Sequence, residues 1–166
     1  MDGISAAASV LAVGTAGVQI SIKLIAFANQ VATASERVRS IGVDISLTAN
    51  VLQQLGELMS KPKQNEAVSI FSEEGLATTQ ASTAACEEVF RDLEVVLNKA
   101  NGQFRIKAAG AALGKKITLS KVEALKWLFL QPGVDSLRTT LNNARETLML
   151  ILHVTTLAYM KKLAEL

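Results

Sequence analysis

The run GISAAASVLAVGTAGVQISI, Gly3 to Ile22, contains no charged side chain. Twenty helical residues at about 1.5 Å each reach about 30 Å, the thickness of a bilayer's hydrocarbon core. Such a run can serve as a signal peptide, a membrane span or the buried helix of a soluble bundle. A secretory signal needs a basic n-region; the chain opens Met1-Asp2 and has no basic residue before Lys23, which argues against one. A permanent span would be richer in Leu, Ile and Phe. Here Ala, Gly, Ser, Thr and Gln fill more than half the run, and Gly3, Gly14 and Gly17 weaken the helix itself. Ala8, Ala12 and Ala16 form a ridge of small residues at four-residue spacing, with Gly17 and Ser21 beside it, and such ridges let helices approach closely in water or in lipid. The expectation is a conditional helix, apolar enough to enter a membrane with partners and small enough to shelter in a bundle.

The rest of the chain reads as helix too. Nearly half of the 166 residues are apolar but only 4% are aromatic, and Pro62 and Pro132 are the only prolines. That composition favours an all-α domain over a sandwich or barrel, and the length suits one domain spanning 1–166. Asp2 can cap a first helix over about 3–30. Ser35 can cap a second over 35–60, in which Val38, Ile41, Ile45, Thr48, Leu52, Leu55 and Met59 alternate spacings of 3 and 4, the seam of a helix packed along a partner. A third helix over about 66–101 shows its face in Cys86, Val89, Phe90, Leu93, Val96, Leu97 and Ala100, with Asn101-Gly102 as its stop. Residues 103–118, rich in Gly, Ala and Lys, read as a loop with room for a short helix. Ser120-Lys121-Val122-Glu123 has the form of a capping box opening a short helix over 120–131.

A last helix over 133–164 carries Val134, Leu137, Leu141, Ala144, Leu148, Ile151, Thr155 and Ala158 on one face. Its LMLIL stretch, Leu148 to Leu152, is apolar all round and predicts a central helix covered on several sides. The architecture that follows is a bundle of about four long helices with one short helix before the last.

Charge is segregated along the middle of the chain. Glu66, Glu73, Glu74, Glu87, Glu88, Asp92 and Glu94 are opposed only by Arg91, and Lys99, Arg105, Lys107, Lys115, Lys116, Lys121 and Lys126 only by Glu123. One reading is two neighbouring helices that attract each other; the other is a basic face toward anionic lipid, at about 1 kcal/mol for each Lys or Arg near the surface.

The parts of an active site are missing from the pattern. His153 is the only histidine and lies in an apolar stretch, where a structural role is expected. Cys86 is the only cysteine; it reads as a small buried hydrophobe, and its solitude excludes an internal disulfide and fits a reducing, cytoplasmic home. Gly110 to Lys116 imitates a phosphate loop but has three residues between its glycines instead of four, and Lys116 where a Ser or Thr belongs. The adjacent pairs Glu73-Glu74 and Glu87-Glu88 point about 100° apart on a helix and read as solvated surface. No catalytic residue, metal site or cofactor is expected, and a basic block without interleaved aromatics does not suggest nucleic acid.

The opening MDGISAAASVLAV resembles the MDP-x-S-x-x-A-S-x-x-A-V start of fungal HeLo-like (HELL) domains, the N-terminal domains of fungal STAND receptors, with Gly3 where many members carry Pro. The likeness continues through LTANVLQQLGELM, CEEVFRDLEVVL, LKWLF and VDSLRTTLNNARETLMLILHV. This family is related to the HET-S HeLo domain and similar in arrangement to the four-helix domain of the necroptosis pseudokinase MLKL. The resemblance implies a cell-death execution domain of heterokaryon incompatibility or innate-immunity-like responses. Its N-terminal helix would leave the bundle, oligomerise and permeabilise the plasma membrane, to which the cytoplasmic protein relocates on activation.

On that reading Ile4, Val10, Leu11, Val13, Val18, Ile20, Ile22, Leu24 and Ile25 are the inserting side chains, and Ala8, Ala12, Ala16, Gly17 and Ser21 the packing ridge. Arg105, Lys107, Lys115, Lys116 and Lys121 would meet anionic headgroups. The partners implied are anionic membrane lipids, further copies of the chain on activation, and a sensor or amyloid-signalling partner. The alternative is an intracellular helical adaptor that docks partner proteins with its first helix permanently in the core.

Overall fold

The computed structural model describes residues 3–30, 35–61, 71–112, 129 and 131–165. Four helices hold almost all of them: α1 (Gly3–Gln30), α2 (Ser35–Ser60), α3 (Glu73–Ala112) and α4 (Pro132–Ala164), with no strand among the described residues. The chain is an all-α bundle.

Each helix forms where apolar residues recur at three and four, and each buries that face. On α2, Val38, Ile41, Ile45, Thr48, Leu52 and Leu55 are fully covered and Met59 partly so. On α3, Cys86, Val89, Phe90, Leu93, Leu97 and Ala100 are buried, with Val96 packed against them. Burying a side chain of Val, Leu, Ile or Phe size is worth about 1.5–3 kcal/mol, so these two stripes, with Val10, Leu24, Leu141 and Leu148 opposite, are the main source of the bundle's stability.

The helices lie at the corners of a square. Helix α1 packs chiefly on α2 and also meets α3, while α4 meets α2 and α3. Leu11 lies against Gly56 and Ile25 against Gly42, so α1 and α2 run antiparallel. Val10 shares a cleft with Thr83 and Lys23 pairs with Glu94, so α1 and α3 run parallel. Arg37 pairs with Asp135 at one end and Lys61 covers the Tyr159 ring at the other, so α2 and α4 also run parallel. The result is an up-down-up-down bundle with α1 diagonal to α4.

The α2/α4 seam is polar. Arg138 donates to Asp44 Oδ2 through Nε and Nη2 at 3.0 and 2.6 Å and to Ser40 Oγ at 2.9 Å. Arg145 Nη1 stands 3.8 Å from the other Asp44 oxygen. Arg37 binds Asp135 and donates from Nε to the Phe129 carbonyl at 2.7 Å. The Phe129 ring is buried and tilted against Phe27, 5.8 Å between centroids. This is the described part of the short helix expected over 120–131; its other residues, Gln131 excepted, lie outside the described residues.

Three expectations are corrected. Helix α3 does not end at Asn101-Gly102 but runs to Ala112. Gly102 is exposed with nothing within 4 Å of where its Cβ would be, and a lone helical Gly costs about 1 kcal/mol, too little to stop a helix. The acidic residues from Glu73 to Glu94 and the first basic ones, Lys99, Arg105 and Lys107, therefore share one helix instead of facing each other from two.

The LMLIL stretch is not covered on several sides: Leu148 is buried, but Leu150 is 65% exposed and Met149 39%. A helix at the corner of a square shows its outer face to solvent, whatever that face carries. For the same reason His153 is exposed.

Candidate membrane-inserting helix

Helix α1 owes its place to small residues on both sides of its interface with α2. Gly42, Ala49 and Gly56 stand seven apart on α2, one stripe two heptads long, and all three are buried. Leu11 fills the space above Gly56, where a Cβ would lie 2.6 Å from its Cγ. Ile25 sits the same way over Gly42, at 2.9 Å. From the other side, a Cβ on Gly14 would stand 3.3 Å from the Leu52 Cβ, and one on Gly17 2.8 Å from the Phe90 ring and 3.0 Å from the Ala49 Cβ. Knobs on one helix meet missing side chains on the other, so the backbones approach closely.

Polar ties are few. Ser21 Oγ donates to the Gly42 carbonyl at 2.8 Å in the buried interface. Lys23 Nζ meets Glu94 at 2.9 Å, with both side chains substantially exposed, and Arg39 donates to Asn29 at 2.7 Å on the surface. Exposed pairs of this kind contribute about 0–1 kcal/mol.

The side chains expected to insert are distributed by the bundle. Val10, Val13, Ile20 and Leu24 are buried, Leu11, Val18 and Ile25 are half-buried, and Ile22 is 62% exposed. Ile4 lies in α1, its side chain outside the described set. The small ridge is split: Ala8 and Ala12 face solvent, Ala16 is half-buried, and Gly17 and Ser21 are inside. The outward face of α1 thus consists of Ser5, Ala8, Ser9, Ala12, Thr15 and Gln19 and continues through Ile22, Lys23, Ala26, Asn29 and Gln30, so that Ile22 is the one large apolar side chain on it among the described residues. Even so, Ser5–Gln30 contains an 18-residue stretch with a mean hydropathy of 1.8 and has only Lys23 as a charge, which makes α1 long and apolar enough to cross a membrane.

The residues assigned to lipid headgroups are not brought together among the described residues. Arg105 and Lys107 lie in the last turns of α3 with their side chains outside the described set, and Lys115, Lys116 and Lys121 lie outside the described residues altogether.

Other chemistry is thin. Cys86 is buried and its thiol is pushed up to about 12 by burial, so it is neither a nucleophile nor a ligand at neutral pH. Among the described residues no three His, Cys, Asp or Glu side chains stand close enough to hold a metal ion. A cleft of about 240 Å³ between α1 and α3 is lined by Ala6, Ser9, Val10, Gln80, Thr83, Ala84 and Glu87, and its one carboxylate, Glu87, stands 3.7 Å from Arg91 on the same helix.

The architecture has a counterpart of known structure. The chain is similar to the IncA soluble domain, seen in a high-resolution crystal structure, with a TM-score of 0.53 over 99% of this chain and 96% of that one. The two share a fold. At 16% identity the likeness extends no further than the helical bundle. No protein-family model matches the chain, and no curated protein does.

Two features of the site escaped the sequence reading. The Gly42-Ala49-Gly56 stripe was visible as small residues at heptad spacing on α2, masked by the stronger apolar seam beside it. The Asp44–Arg138–Arg145 cluster joins residues about a hundred positions apart, and no local pattern announces such a pairing.

Proposed function

We propose that this chain is a membrane-engaging helical bundle, of the cell-death effector kind its sequence resembles, in which α1 is stored against α2 and α3 and released to a bilayer. The observation that carries the reading is α1 itself: Ser5–Gln30 is long enough to span, contains an 18-residue stretch with a mean hydropathy of 1.8, and has Lys23 as its only charge. Among the described residues, the buried Ser21–Gly42 hydrogen bond and the exposed Lys23–Glu94 and Arg39–Asn29 pairs hold it beside extensive apolar contact that a bilayer could replace. Released copies would associate through the same small residues, Gly14, Gly17 and Ser21, that now meet α2 and α3.

A second reading, an adaptor whose α1 never leaves, is favoured by the closeness of the glycine seats. The two differ in a vesicle assay. Full-length protein should release dye from vesicles rich in anionic lipid. Ala12→Glu and Ile22→Glu, both at exposed positions, should keep the fold, because neither touches the core. Each places in the span a charge costing about 2–3 kcal/mol, and dye release should fall at least tenfold. Release unaffected by both charges, or none from the unmodified protein at low salt, would remove the membrane reading and leave the adaptor.

A further inference from the structure

The outer face of α4 carries five residues in one line: Glu146, Leu150, Val154, Leu157 and Lys161. At about 100° per residue they fall within roughly 80° of each other, opposite the core positions Leu141, Ala144, Leu148 and Thr155. Leu150 is 65% exposed, Val154 59% and Leu157 67%, and Met160 (60%) and Met149 flank them on one side. An apolar stripe of this kind on the solvent side of a bundle is an interaction surface. Glu146 and Lys161 close its two ends; both are exposed, and neither makes an ion pair among the described residues.

The order of these residues selects the occupant. Reversed end to end, the line reads Lys161, Leu157, Val154, Leu150, Glu146. Laid antiparallel on itself about a two-fold axis between His153 and Val154, it puts Leu150 opposite Leu157, Val154 beside its own copy, and Glu146 opposite Lys161 at both ends. The face is self-complementary in shape class and in charge, which is what an isologous interface requires. We propose that the protein associates as a two-fold dimer through the outer face of α4, with α4 helices antiparallel and Glu146–Lys161 pairs closing each end. This contact uses no residue of α1 and forms in water without a membrane.

Sedimentation equilibrium on the full chain in detergent-free buffer tests it. A dimer is expected, and Glu146→Lys or Lys161→Glu alone should weaken it about tenfold or more, since symmetry makes each reversal two like-charge contacts. The double reversal should restore it. Leu157→Glu should give a monomer with unchanged circular dichroism, its position being exposed. Val154→Cys should cross-link copies on mild oxidation, and Thr140→Cys, exposed about four turns away, should not. A protein monomeric at every concentration, a dimer indifferent to Leu157→Glu, or a double reversal no better than the single ones would overturn the proposal. A monomer that used Leu157 only to bind vesicles would overturn it too, naming lipid as the occupant.

Discussion

Gly17 has a hydrogen where any other residue would drive a carbon to within 2.8 Å of the Phe90 ring and 3.0 Å of the Ala49 Cβ. Neither neighbour can swing aside, since Phe90 is fully buried and Ala49 is part of the α2 face. Gly17→Val is therefore expected to lower stability by about 1–3 kcal/mol through overpacking, read from the midpoint of urea denaturation. At Cys86 the effect is on pH. Burial raises the thiol from 9.0 to about 12, so the unfolded chain loses this proton at lower pH than the folded one. The stabilising contribution is complete below about pH 9 and drains away as pH rises toward 12. Denaturation midpoints should fall between about pH 8 and about pH 10.5, and the folded thiol should resist alkylation at neutral pH. Cys86→Ala should lose that part of the alkaline dependence.

At the scale of elements, the α2/α4 seam differs in kind from the α1/α2 seam. Asp44 is 17% exposed and stands between Arg138 and Arg145, each no more than 27% exposed. Asp44→Ala would leave two guanidinium groups without their anion at this seam, and about 2–3 kcal/mol of stability should be lost. Glu94→Ala on α3, which removes only the exposed pair with Lys23, should cost under about 1 kcal/mol. A double-mutant cycle on Asp44 and Arg138 checks the coupling directly.

The same contrast explains what could be read in advance. The α2 seam from Val38 to Leu55 was legible because one buried face leaves a 3-and-4 rhythm in any sequence. The continuation of α3 past Gly102 was not, because a stop signal is a local preference of about 1 kcal/mol that the rest of a 40-residue helix outweighs. Nor was the exposure of Leu150 and Leu157, since apolar residues round a whole helix imply burial only where neighbours exist to supply it. For the candidate site, the sequence carried the uncharged run and its small residues, but not which of them would be turned inward.

For the whole molecule, the square arrangement gives α1 two neighbours and leaves it at an edge of the bundle. Helix α1 can leave only by breaking its seat on α2, because Gly14, Gly17, Gly42 and Gly56 all lie in the contacts that hold it. That makes the seat the place to test whether storage and release are the function. Gly14 and Leu52 are suited to a staple: a Cβ at Gly14 would stand 3.3 Å from that of Leu52, close to the separation of about 3.5–4.5 Å found across disulfides. The measurement is dye release from anionic vesicles by Gly14→Cys/Leu52→Cys, in a Cys86→Ala background, oxidised and then reduced. Release-and-insertion predicts silence with the disulfide closed and leakage restored by reductant. Equal leakage in both states would contradict it, because a helix fastened to α2 could not be the one that crosses the membrane.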